Sequence, residues 1–206
     1  MNQKIVDFLQ ENTTVTFFLG VALSVIAVNS TTSAVVNALA IAVIAILGTG
    51  LFAVLRGVIA EQVRSLVYLI LLVALTGILG LIMNAFMISW YNQFSALIYV
   101  APFVVFLVSG GEPLLSEHSL SFTLRAIVLN VLKFGICVLL LGVLREFIGT
   151  GILSLSGPVD SAQVFSVTLL PSAYVLSGAG SLYGGFLILG ILSALLSPLF
   201  KGKEGA

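Results

Sequence analysis

Charged side chains are scarce in this chain, so those inside apolar sequence stand out. Lys133 lies near the middle of the run Leu124–Leu144, with Asn130 about one helical turn before it. A charge at bilayer depth costs ~2.5–3.5 kcal/mol even on a lenient insertion scale, so Lys133 is expected to face protein or water. Read as function, Lys133 with Asn130 belongs to an ion path or a partner contact. Read as structure, Lys133 snorkels to the interface or pairs with an acidic residue of a neighbouring subunit. Arg145 and Glu146 close the same run. Adjacent side chains on a helix diverge, so these two should have different partners. The planar fork of Arg145 suits a phosphate or a carboxylate, or it anchors a helix end at the membrane interface. Asn37 and Asn84 lie nearer span ends, where hydrogen bonding between helices is expected.

The remaining inventory points away from an active site. There are no paired carboxylates, no nucleophile–histidine set and no phosphate-cradling loop, so no catalytic residue is assigned. The single cysteine, Cys137, cannot form an intrachain disulfide or supply a thiolate set for a metal. The single histidine, His118, stands among polar loop residues, where a solvated side chain is the expected state. GTG occurs at 48–50 and at 149–151, and both read as packing or turn glycines. Net charge is zero, which provides no basic face for nucleic acid.

Hydrophobic residues make up 60% of the 206-residue chain and charged residues only 8%. Mean hydropathy is +1.24. A soluble domain carries ~25% charged residues, so most of this surface must face lipid, and the fold class is all-α integral membrane. A spanning helix needs ~20 apolar residues. Two segments are shorter than that: Glu11–Asn29, and Asn92–Gly110, which is interrupted by Pro102. Short or broken segments at corresponding positions of two halves indicate an inverted repeat with a site near the midplane. The chain thus reads as one polytopic domain, 1–206, with repeats over about 13–87 and 92–200. FAVLRGVI at 52–59 and LGVLREFI at 141–148 echo each other as the end of the second helix in each half.

Six spans are expected. Thr13 or Thr14, or else Asn12, caps the first, which ends in the polar turn Asn29–Ser33. The others run about Ala34–Leu55, Ser65–Phe86, Phe94–Val108, Leu124–Leu144 and Gly185–Phe200, the last after a broken entry around Pro171. Arg145–Gln163 reads as a polar connection, and Trp90 and Tyr91 mark an interface. Met1–Asn12 reads as a retained lead-in along the membrane surface, without a signal-peptide cleavage site. Lys4, Arg56, Arg64, Arg125, Lys201 and Lys203 fall on one side and Arg145 on the other, which places both termini in the cytoplasm.

ENTTVTFFLGVALSVIAV, WYNQFSALIYVAPFVVFLV, LLLGVLREFIGTGIL and LLPSAYVLSGAGSLYGGFLILGIL resemble, in that order, landmark segments of the paired six-helix membrane subunits of Rnf and Nqr complexes. Those complexes are ion-translocating ferredoxin:NAD and NADH:quinone oxidoreductases. REFIGTG and the cytoplasmic N terminus look most like the E-type subunit of Rnf or the D-type of Nqr. The resemblance implies a cell inner-membrane protein beside a homologous six-helix subunit and other redox subunits. It also implies a [2Fe–2S] cluster between the two subunits, held by cysteine from each short helix, and flavins in partner subunits. The positions matching those cysteines are Ala22 and Val108, neither of which is a thiol. A [2Fe–2S] centre normally takes four ligands, so no cofactor is expected in this chain.

Two readings follow. One is a redox-silent scaffold or ion-path subunit of an Rnf/Nqr-like complex, non-catalytic by itself. The alternative is a small-solute or ion transporter built on the same inverted-repeat fold.

Overall fold

Ser30 starts the first long helix. Its extended backbone and side chain take the N-cap position, and Ser30 and Ser33 exchange bonds in a capping box. The preceding short helix ends at Ser24, and Ser30 begins the next six residues later. The computed structural model describes residues 13–109, 120–159, 162–169, 171 and 175–200. His118, the lead-in Met1–Asn12, Lys4, Lys201, Lys203 and Asp160 lie outside the described residues.

Among the described residues the helices are α1 (Thr13–Ser24), α2 (Thr31–Leu55), α3 (Arg64–Phe86), α4 (Ile88–Phe94), α5 (Ala101–Val108), α6 (Leu120–Thr150) and α7 (Leu182–Phe200). Between α6 and α7 stand two strands, β1 (Ile152–Ser156) and β2 (Gln163–Thr168), and a 3-10 turn, Ser177–Gly180. Among the described residues, three helices are long and apolar enough to cross a membrane, namely α2, α3 and residues 121–150 of α6. The segments expected to be short are short. α1 has 12 residues and α5 only 8, about 18 Å and 12 Å at 1.5 Å per residue. Within the segment expected over Phe94–Val108, only Ala101–Val108 is continuous α-helix. Phe94 ends α4, a turn covers 95–100, and α5 follows with Pro102 in its first turn, where a missing N–H costs nothing. The last helix begins at Leu182, after Pro171.

The described residues are mostly helical, as expected of an all-α membrane protein, with one short hairpin added. Residues expected to be a connection form an antiparallel hairpin, with Ile152 opposite Thr168 and Leu155 opposite Phe165, and a register shift at Leu155/Ser156. Gly151 makes the turn into it at φ 70, a left-handed conformation that glycine adopts without penalty. The hairpin does not stand alone. Ser156 N–H donates to Thr32 Oγ1 and Thr32 Oγ1 to Ser154 O, at 3.0 and 3.2 Å. Trp90 Nε1 donates to Ser156 O at 3.2 Å, and Ser89 N–H to Pro158 O at 3.1 Å. The turn at 29–33, the start of α4 and the hairpin therefore form one end of the molecule.

The core lies between α2 and α6. Gly142 makes their close approach: a Cβ there would sit 2.4 Å from Ala34 Cβ and 2.9 Å from Ser30 O. α1 packs on α5, and each of these short helices also reaches two longer ones. α1 touches α6 and α7, while α5 touches α2 and α3. On α3 the buried stripe is Tyr68, Leu72, Thr76, Gly80 and Met83, and Leu66, Ile70, Val73, Ile78, Leu81 and Ile82 are exposed. Small and polar residues inside with aliphatic ones outside is the arrangement lipid favours.

Candidate functional site

Arg145 lies on α6, and its side chain turns inward to 2% exposure. Nη1 donates to Val25 O at 2.7 Å and also to Val28 O. Nη2 donates to Gly180 O at 3.0 Å and Ser181 O at 2.9 Å. These carbonyls belong to two broken segments, the turn that follows α1 and the 3-10 turn that precedes α7. Helix ends leave carbonyls unpaired, and within a membrane each such group is costly. One guanidinium closes two of these breaks at once. Glycine makes the approach possible. A Cβ on Gly185 would lie 2.8 Å from Arg145 Cζ and 2.7 Å from Val25 Cγ1. A Cβ on Gly149 would meet Gly180 N at 3.0 Å, and one on Gly184 would meet Gly178 O at 2.3 Å.

Glu146 points elsewhere, as adjacent helical positions require. Its Oε2 accepts from Thr31 N–H at 2.7 Å, in the first turn of α2. Its Oε1 accepts from Ser154 N–H at 3.1 Å and from Ser154 Oγ at 2.6 Å. A carboxylate at a helix N-terminus meets unpaired N–H groups and the positive end of the dipole. Arg145 thus holds carbonyl ends, Glu146 holds amide ends, and both hold the hairpin end of the molecule together. Arg145 Nε is buried without a partner among the described residues.

The second feature is the α1–α5 contact. A Cβ on Gly20 would sit 3.1 Å from Val108 Cγ2, 3.5 Å from Val104 O and 3.6 Å from Leu107 Cβ. Val108 is buried at that contact. Ala22 lies two residues on, half-buried. It lines an open groove of about 560 Å³ between α1 and α7, with Val15, Phe18, Phe186, Leu189 and Ser193. The Ala22 methyl and the Val108 isopropyl group are no iron ligands, and Val108 closes onto Gly20. Cys137 is buried on α6 as a free thiol. These residues do not fit an iron–sulfur cluster.

The other candidates separate. Lys133 is exposed on the outer face of α6. Asn130 is half-buried. Asn37 does not bond between helices: Nδ2 donates to Ser33 O of its own helix at 2.7 Å, and Oδ1 is buried without a partner among the described residues. Asn84 is exposed. The glycines read as packing or turn residues are such: Gly48 abuts Leu72, and Gly151 turns the chain. Sequence reasoning missed the partners of Arg145, because a backbone carbonyl has no side-chain signature. The cluster of glycines at 178–185 was the available signal.

A family model described as Rnf-Nqr subunit, membrane protein, matches residues 2–193. A curated relative from Pseudomonas paraeruginosa (strain DSM 24068 / PA7), the E-type subunit of an ion-translocating oxidoreductase complex, is 26% identical over 172 residues. The alignment covers 81% of this chain and 71% of the relative. With a match over nearly its whole length, the chain belongs to the Rnf-Nqr family of membrane subunits.

Proposed function

We propose that this chain is a membrane subunit of an ion-translocating electron-transport complex and contributes structure to it, without iron–sulfur ligands of its own. The observation that carries this reading is the α1–α5 contact. The family's short helices are retained and pack on each other at Gly20 and Val108, with no thiol at either matching position. The relative is named as a subunit of an ion-translocating oxidoreductase complex, and its likeness supports the same kind of assembly here.

Six membrane passes arranged as two inverted three-helix repeats belong to this reading. In its support, the contacts pair off when the halves are exchanged: α1 with α5, α2 with α6, α1–α7 with α5–α3, and α1–α6 with α5–α2. An odd number of passes per half inverts the second half. The inner membrane with cytoplasmic termini is the location that the basic-residue skew favours. The partners would be a homologous six-helix subunit and cofactor-bearing redox subunits. Purification of the tagged chain from its native membranes in mild detergent tests the assembly. Stoichiometric recovery of Rnf- or Nqr-type subunits is expected, and a chain that runs alone would refute the proposal.

A further inference from the structure

We infer that the outward face of α6 around Lys133 docks a transmembrane helix of a different chain, one carrying an aspartate or glutamate at mid-depth. This rests on the reading of the chain as one subunit of a larger membrane complex. Arg125 and Arg145 bracket residues 126–144, which at 1.5 Å per residue cover about 28 Å, close to the thickness of the hydrocarbon layer. Lys133 stands about 12 Å from the level of Arg125 and about 18 Å from that of Arg145. A four-carbon stem falls well short of either boundary, so snorkelling does not bring the ammonium to the headgroups. Yet the side chain is exposed and makes no hydrogen bond or ion pair among the described residues. Facing lipid alone, it would be an uncompensated charge in hydrocarbon.

The surroundings of Lys133 favour a helix as the occupant. Phe122, Arg125, Leu129, Leu132 and Ile136 are exposed at alternating intervals of three and four residues, the spacing of a helix-packing seam. Lys133 flanks that seam next to Leu132, where charged residues of paired helices select partner and register. A second copy of this chain offers no free complement at that depth among the described residues. Among the described residues, Glu146 is the acid within a spanning helix, and Thr31 and Ser154 already occupy its carboxylate, while Glu61 lies in the short turn before α3. Charge complementarity therefore selects a different, acid-bearing helix.

Photo-crosslinking in native membranes tests the inference. Benzoylphenylalanine replaces Leu132 or Ile136 on the seam, and Leu81 on the outward face of α3, 73% exposed, serves as the comparison position. The seam positions should crosslink to another protein's transmembrane helix that bears Asp or Glu. Lys133→Met, which inserts more easily, should cut that yield at least ten-fold while leaving the membrane level of the chain unchanged. Lys133→Glu should do the same, and Lys in place of the captured acid should restore it. Lipid adducts alone, crosslinks to a second copy, or yields indifferent to Lys133→Met would overturn the inference. If Rnf- or Nqr-type subunits co-purify yet the seam reacts only with lipid, the docking face is wrong and the subunit reading stands. If the wild-type chain purifies alone, both fall.

Discussion

Arg145 and Glu146 show how far single residues could be read. Their divergence follows from helical spacing alone, and the structure gives each a separate set of partners. What Arg145 holds was not legible, since its acceptors are main-chain carbonyls created by breaks after α1 and before α7. Lys133 marks the opposite limit: a charge in apolar sequence shows that something must compensate it, but not on which face. The clamp makes two predictions. Arg145→Met leaves four carbonyls without their donors and should destabilise the fold by about 2–4 kcal/mol. Arg145→Lys, a point charge without the fork, should cost about half of that. The temperature at which the monodisperse protein is lost in detergent orders wild type, Lys and Met; a Met variant as stable as wild type would remove the clamp. Glu146→Gln exchanges one acceptor for a donor opposite N–H groups. Amide exchange at Thr31 and Ser154 should then quicken about ten-fold, corresponding to ~1.4 kcal/mol. Unchanged protection at both would show that the carboxylate does not hold them.

Among the elements, existence and length were legible, while faces and the hairpin were not. The long spans follow from apolar runs, and α2 starts before Ala34 because the polar Ser30 cap extends it. The faces were hidden because lipid is as apolar as the core, so apolar periodicity carries little information. In α3 it is Tyr68, Thr76 and Gly80 that mark the inside. The strands read as a connection because serines dilute them. Their alternation in ILSLS and QVFSVT, around Gly157 and Pro158, was the missed signal. The central crossing depends on Gly142. Gly142→Val should force α2 and α6 apart and cost about 1–3 kcal/mol, the usual penalty of overpacking. Gly77→Val is the control, since a Cβ there meets nothing within 4 Å. Equal stability of the two variants, by the same detergent assay, would deny the close approach.

For the whole molecule, the family and the membrane class were legible from composition and from ordered landmark segments; the assembly around the chain was not. Topology is accessible directly. Val58, 90% exposed between α2 and α3, and Ala162, exposed at the hairpin tip, lie on opposite sides in the proposed arrangement. An impermeant thiol reagent applied outside should label Ala162→Cys and spare Val58→Cys in a background with Cys137→Ser. The reverse pattern would invert the topology. The central claim is a family fold without cluster ligands, and iron analysis with a visible spectrum of the anaerobically purified isolated chain tests it most directly. The expected result is no stoichiometric iron, with iron appearing only when a cysteine-bearing homologous subunit is co-purified. Stoichiometric iron in the isolated chain that disappears in Cys137→Ser would contradict it, because the single thiol would then be a ligand shared across a dimer.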